Sequence, residues 1–515
     1  MGLFSGANVH QLSVAIGLIL ALTSPAWADW RQARTDHFIL TINDTEDGAR
    51  DFAIRLERFD AALRTLYNVG NSGEKLRPIT IYAFGTDLFN ATCRCPGALA
   101  YYKPLASGSF ILTQFVPKVD RKAKIGGWST QALLLHEYTH HFTFSNFPIA
   151  YPMWFQEGFA EFNANSSFEA DGAIVVGYPA NYRAEGLQNG GDSLSMKRLL
   201  APDQFGYPDG DTLYGRGWLL THYLMLNPAR SGQLATYLSE MNKGVPSLEA
   251  GQKAFGDLKK LDAELDAYRK RSLFAPLRVP PGGPIKVTVT TMSAGAGAML
   301  PTYALMLDGV DKGNRLGTAM AAEGVAKRYP DDALVQAELA EVEYMAERYD
   351  KADAAADRAL AIDPKNISAL VRKGQVAVSR ANIAKSKDAA VWSAARAWYL
   401  KANRIDPNQV MPLYLYYSSF VAAKDKPPVG AVNALRRAMV LAPESTSIAL
   451  ALGRQVLLDG DATFARKLFE PIAFAPHGRR EKNVPLAVIK LIDAGKIDEA
   501  KALLNDDKRS DDNNE

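Results

Sequence analysis

The chain has 515 residues, too many for a single core, so two or three domains are expected. A hydrophobic fraction of 47% and a charged fraction of 22% are ordinary for a soluble globular protein. The formal charge of +3, from 59 Lys and Arg against 56 Asp and Glu, comes with no basic run and no aromatic–basic interleaving, which argues against a nucleic-acid partner.

The N-terminus carries an apolar run from Leu12 to Leu22, then Pro25 and Ala26-Trp27-Ala28. Small residues at 26 and 28 suit a signal peptidase, so residues 1–28 are expected to be a bacterial-type signal peptide cleaved after Ala28. The n-region holds no Lys or Arg, only the terminal amine and His10, and the competing reading is a buried N-terminal helix. The run is too short to span a bilayer well, and no later stretch approaches about 18 uncharged apolar residues. The mature chain is therefore expected to be exported, periplasmic or secreted, with no transmembrane segment.

Thr35 to Ile42 reads as a strand, and Ala49 to Tyr67 as a helix with Phe52, Ile54, Leu56, Phe59 and Leu63 at helical spacing. Pro78 to Phe84 is a second strand, and Leu99 to Tyr102 with Ser109 to Thr113 reads as a strand pair joined by a Gly/Pro/Ser turn. Between them lie the two cysteines, Cys93 and Cys95. In extended backbone their side chains diverge, so a mutual disulfide would be strained. A transient redox pair, a partial metal site and two inert loop thiols stay open. Helices follow at about 130–142, from about Pro152, and at 213–226, 232–242 and 258–268. A small sheet followed by helices implies an α+β domain over residues 29–275. Residues 276–295, with Pro276, Pro280, Pro281 and Pro284 around Gly282 and Gly283, read as a linker or an irregular crossing strand.

From residue 296 to 505 the chain is rich in Ala and Leu, and Pro330, Pro364, Pro407, Pro443 and Pro476 each stand just beyond an apolar helix. Their spacings of about 34, 43, 36 and 33 residues are a repeat period, with one unit lengthened around residues 381–387. Small residues recur where paired helices need close approach, at Gly374, Ala397, Ala434, Gly453 and Ala465. This pattern resembles tetratricopeptide repeats, with a degenerate unit before Pro330 and a further helix pair from about 485 to 504. Residues 506–515 read as a disordered acidic tail.

The segment richest in chemistry is His136-Glu137-Tyr138-Thr139-His140. Residues i and i+4 share one helix face, so His136 and His140 can turn ring nitrogens to one ion, and Glu137 beside them can reach a water in an open coordination position. Three of the seven histidines stand at 136, 140 and 141, and His141 points off the ligand face. The second segment, Trp154-Phe155-Gln156-Glu157-Gly158-Phe159-Ala160-Glu161, carries two carboxylates one helical turn apart.

Together these segments resemble the gluzincin group of zinc metallopeptidases, whose third ligand is a glutamate in a Glu-Gly-hydrophobic-Ala stretch on the next helix. The resemblance implies Zn2+ held by His136, His140 and Glu157, with Glu137 activating water. It implies that Glu161 orients a zinc-bound histidine through its second nitrogen. The 16 residues between His140 and Glu157 make a gap slightly short of the family's better-known branches. Asp211 to Trp218 resembles a segment of the aminopeptidase-type members, which makes Tyr214 the candidate donor to the tetrahedral oxygen; Tyr178, Tyr182 and His222 are the alternatives. Ser109 to Thr113 is expected beside the cleft, where it could pair with an extended substrate. Gly108-Ser109-Phe110-Ile111-Leu112 lacks the methionine and the acidic residue with which aminopeptidases grip a free amine.

The fold expected is an α+β zinc-metallopeptidase-like domain of the peptidase MA-like kind, followed by an all-α tetratricopeptide-like solenoid. The function expected is zinc-dependent hydrolysis of peptide bonds in an exported protein, with a protein or peptide partner in the repeat groove. The alternative is a non-catalytic or weakly catalytic adaptor in which the repeats bind and the zinc is mainly structural.

Overall fold

The computed structural model describes residues 30–70, 77–93, 95, 97–115, 129–179, 187, 195–206, 208–270, 276–309, 312–474 and 483–505. The expected signal peptide, the acidic tail and Tyr182 lie outside the described residues.

Alternation along the strands sets the first layer. In β3 (Ile79–Phe84), Ile79, Ile81 and Ala83 enter one core while Tyr82 and Phe84 enter another. In β5 (Phe110–Gln114), Ile111 faces the first core and Phe110 and Leu112 the second. With β1 (Trp30–Arg34), β2 (Phe38–Asn43), β4 (Ala100–Lys103) and β9 (Thr288–Thr291) they form a six-stranded sheet in the order β4-β5-β3-β2-β1-β9. β2, β3 and β5 run parallel, whereas β4, β1 and β9 are antiparallel to their neighbours. A smaller sheet joins β6 (Ser167–Phe168), β7 (Ile174–Val176) and β8 (Leu277–Val279).

The first core is covered by α1 (Glu46–Leu66), after which α2 (Thr86–Thr92) lies against the opposite face beside β3 and β5. Next come α3 (Thr130–Asn146), α4 (Met153–Ala164), the short α5 (Met196–Leu200) and α6 (Pro202–Phe205), then α7 (Gly210–Leu226). α8 (Gln233–Asn242), α9 (Ser247–Phe255) and α10 (Leu258–Arg269) complete this mixed α/β region.

Two expectations are corrected here. Of the two readings of residues 276–295, the crossing strand holds and the free linker does not, because β8 pairs with β7 and β9 pairs with β1. Cys93 and Cys95 do not diverge but are placed as a disulfide. Their Cα atoms are 5.3 Å apart, short of the roughly 6.6–7.2 Å of an extended chain.

The all-α region begins with α11 (Ala294–Asp308), which is buried on two sides. Leu300 and Ala304 pack on the sheet with Phe84, Phe110 and Leu112, while Met299, Leu305 and Met306 join the first repeat core. α12 (Lys312–Arg328) pairs with it, and hairpins follow as α13 (Ala333–Met345) with α14 (Tyr349–Ile362), then α15 (Ile367–Ile383) with α16 (Ala389–Ile405). α17 (Val410–Ala422) with α18 (Val429–Leu441), α19 (Thr446–Leu458) with α20 (Ala462–Ala473), and α21 (Val484–Asp493) with α22 (Ile497–Asn505) continue the series.

The five hairpins from α13 onward turn alike. Glu347, Lys385, Lys424, Gly460 and Gly495 each take positive φ at the same register. In each, the next amide donates back to a carbonyl five residues earlier, as Arg348 does to Glu343 and Lys496 to Leu491. This repeated closure makes the region a tetratricopeptide-like solenoid. The lengthened unit puts its extra residues into the helices, since α15 and α16 have 17 residues each against 13 in α13 and 14 in α14.

Gly374 is the tightest of these approaches, because a Cβ there would stand 2.4 Å from Cε1 of the buried Tyr399. Gly374→Ala should therefore cost about 1–3 kcal/mol in denaturant unfolding. Gly324→Ala on α12, with nothing within 4 Å, should leave stability level or raise it. Equal effects at both positions would contradict this packing.

Candidate metal centre

α3 starts where the Ser129 hydroxyl accepts from the Ala132 amide. Ala132 to His136, Tyr138, Thr139, Phe142 and Thr143 are all buried, so the helix runs through the core. Thr139 and Thr143 donate their hydroxyls to the Leu135 and Thr139 carbonyls, both at 2.7 Å, and so cost the interior no unmet polar group. The roll of the helix is held by Tyr138, which donates to Asp60 Oδ1 at 2.6 Å, while Arg64 holds the other Asp60 oxygen at 2.6 Å.

α4 reaches the same place by a close crossing with α7. A Cβ on Gly158 would stand 2.3 Å from the carbonyl carbon and oxygen of Gly217, and one on Gly217 would stand 2.4 Å from the Trp154 oxygen. Only glycine at both positions lets the two backbones touch. The crossing sets Glu157 against α3 and brings the Tyr214 ring over His136, with centroids 5.9 Å apart and planes at 25°.

The three sequence-predicted ligands converge. His136 Nε2 lies 3.2 Å from Glu157 Oε2 and 3.2 Å from His140 Nε2, and His140 Nε2 lies 3.6 Å from the same carboxylate oxygen. A point equidistant from these atoms is about 1.9 Å from each, close to the roughly 2.0–2.2 Å that zinc takes to imidazole nitrogen and carboxylate oxygen. The donor set fits a divalent ion. His140 and Glu157 keep 14% and 18% side-chain exposure, so the cluster is reachable from solvent.

Burial alone would neutralise these groups, yet their charges hold one another. Burial opposes a charged His136, but the Glu157 hydrogen bond and the Glu161 and Glu137 carboxylates outweigh it and raise its pKa. Burial likewise opposes the Glu157 carboxylate, but His140 and His136 hold its pKa well below the usual carboxylate range. Glu161 is fully buried, and its Oε1 lies 3.6 Å from His136 Nδ1, the nitrogen turned away from the cluster. Burial raises the Glu137 pKa, only partly offset by His136 and His140, and α3 packs against β4 beside it.

Other candidates sit elsewhere. His222 is buried between the Tyr268 hydroxyl at 2.8 Å and the Gly177 carbonyl at 3.1 Å, and burial brings its pKa down to about 4. It is a core group and does not substitute for Tyr214. Ser109 to Thr113 does not offer a free edge, because β5 is paired on both sides, with β3 and with β4. The strand beside Glu137 is β4, whose outer edge pairs with no other strand among the described residues. His141 Nδ1 lies 3.3 Å from both the Tyr102 hydroxyl and Ser145 Oγ.

A second group with metal-ligand chemistry, His37, Glu57 and Asp60, was not singled out from the sequence, where its members are spread over 24 positions. Its acceptors already have donors. Glu57 takes the His37 amide and ring, each at 2.8 Å, and Asp60 takes Tyr138 and Arg64. With the Arg64 guanidinium in place, this group is a satisfied ion-pair network that braces α3.

No family model matches the chain, and no curated protein matches it. Among solved structures, YrrB, a TPR protein with an unusual peptide-binding site, is 19% identical, with 36% of this chain and 89% of that one covered and a TM-score of 0.28. PilF of Pseudomonas aeruginosa is 18% identical over 41% of this chain and 90% of its own, with a TM-score of 0.32. TTC0263, a thermophilic TPR protein in Thermus thermophilus, is 15% identical over 39% and 97%, with a TM-score of 0.30.

Because Gly158 sets where Glu157 stands, Gly158→Ala should loosen the centre without removing a ligand. The expected outcome is a loss of about 1–3 kcal/mol in stability together with weaker zinc binding in a chelator competition. Wild-type zinc affinity in a folded Gly158→Ala chain would contradict the role given to the crossing.

Proposed function

We propose that this chain is a zinc-dependent hydrolase of peptide bonds, exported to the periplasm or beyond, with a protein or peptide as substrate. The observation that carries the reading is the triangle of His136, His140 and Glu157 ligand atoms with Glu137 next to it in sequence. Zn2+ bound there would supply Lewis acidity and lower the pKa of a water.

The residues divide the remaining work. Glu137 takes the proton of the attacking water and passes it to the leaving nitrogen. Tyr214, stacked on His136, is the donor for the developing oxyanion. Glu161 orients His136 from behind. The outer edge of β4, next to Glu137, offers backbone groups to an extended peptide, and alternating side-chain positions would give specificity.

A second reading is favoured by the size and regularity of the helical hairpins. It is an adaptor in which the solenoid binds a partner protein and the metal mainly fastens α3 to α4. The two readings part at Glu137, which a purely structural metal would not need.

The test uses the purified mature chain, its metal content, and cleavage of casein or a peptide library. Glu137→Gln should keep one metal per chain and lower turnover by about 10²–10⁴-fold. His136→Ala should lose the metal. One metal per chain with no cleavage by the native protein would replace hydrolysis with the adaptor reading.

A further inference from the structure

The solenoid meets the mixed α/β region through α11, which packs on the sheet, and again at the turn between α18 and α19. Glu444 stands in that turn. Its Oε1 accepts from Ser109 Oγ at 2.7 Å, and its Oε2 accepts from Ser145 Oγ at 3.4 Å. Ser109 closes the β4–β5 turn, and Ser145 stands on α3 five residues beyond His140. Both serines are buried.

Packing follows the same line. Ala106 of the β4–β5 turn packs on the core of the later repeats. A small cleft at the junction is lined by Arg77, Leu105 and Ser109 on one side and by Val410, Leu441 and Glu444 on the other. The turn follows directly on β4, whose Tyr102 ring lies against His141 and Phe144 of α3.

We infer that Glu444 is a positioning residue, a clasp by which the repeat solenoid sets β4 against the metal-bearing helix. One carboxylate meets both walls of the site, the turn that follows β4 through the 2.7 Å bond from Ser109 and the last turn of α3 through the longer contact from Ser145. The solenoid is thereby part of the site's framework. A partner that flexes the solenoid near α18 and α19 would move β4 relative to Glu137, which makes the clasp a route for regulation. The inference deepens the hydrolase reading, but the contact can be tested without it.

Hydrogen–deuterium exchange on the full chain is the test. Glu444→Ala should speed exchange of the 105–109 amides and of 141–146 by about tenfold or more, while β2 and β3 keep native protection. Glu444→Gln, whose amide can still bond both serines, should restore most of the protection. Ser145→Ala should loosen 141–146 and leave 105–109 unchanged. In the cobalt-loaded chain, Glu444→Ala should also shift the visible absorption bands of the metal. Native exchange at both segments in Glu444→Ala would overturn the inference, and so would uniform loss of protection across the whole chain. A chain that binds no cobalt but shows the segment-specific exchange would keep the clasp and sink the metal reading instead.

Discussion

Glu157 is a carboxylate enclosed between two imidazoles, and a buried charge survives only where opposite charge or a cation stays beside it. Much of the mixed α/β region serves to keep that arrangement closed. α3 presents His136 and His140 from within the core, braced by Tyr138 on Asp60 and by Arg64 behind it. α4 must approach closely enough for one carboxylate oxygen to face both rings, and the Gly158–Gly217 contact fixes its place against α7. Without the close crossing, the three donors would be separate buried polar groups with no common partner.

The sheet supplies the floor. Its two faces feed different cores, one shared with α1 and α3 and one shared with α11, so the helical region is attached to the strands that flank the site. β9 adds a second attachment by pairing with β1 after the chain has finished the smaller sheet. The repeats are thus docked onto the metal region through α11, through the strands of residues 276–295, and through the turn between α18 and α19. A solenoid held at several points transmits strain better than one on a flexible tether, because packed interfaces shift between discrete arrangements.

Local pattern made the ligand helix, the second carboxylate helix and the repeat period legible from the residues alone. Two histidines at i and i+4 define a face whatever the surroundings, and prolines at regular spacing mark hairpins whatever their packing. What stayed hidden depended on contacts between residues far apart in the chain. The pairing order that makes β5 interior and β4 the edge follows from β3 lying between β2 and β5, which no window of residues encodes. The same holds for Glu444, 299 positions from Ser145, and for Asp60, 78 positions from Tyr138. The segment 276–295 left linker and crossing strand both open, because its prolines and glycines mask two short strands that gain their stability from the sheets they join. His222 has the residue type of a site group, but its hydrogen bonds to Tyr268 and Gly177 place it in the core.

X-ray absorption spectroscopy at the zinc edge of the metal-loaded chain reads out directly whether His136, His140 and Glu157 hold one divalent ion. Two imidazole nitrogens are expected at about 2.0–2.1 Å and carboxylate or water oxygen at about 2.0–2.2 Å, with no sulfur scatterer. Glu157→Ala should lower the oxygen contribution and leave both imidazoles. A sulfur shell at about 2.3 Å, or a chain that retains no zinc after mild purification, would contradict that ligand set.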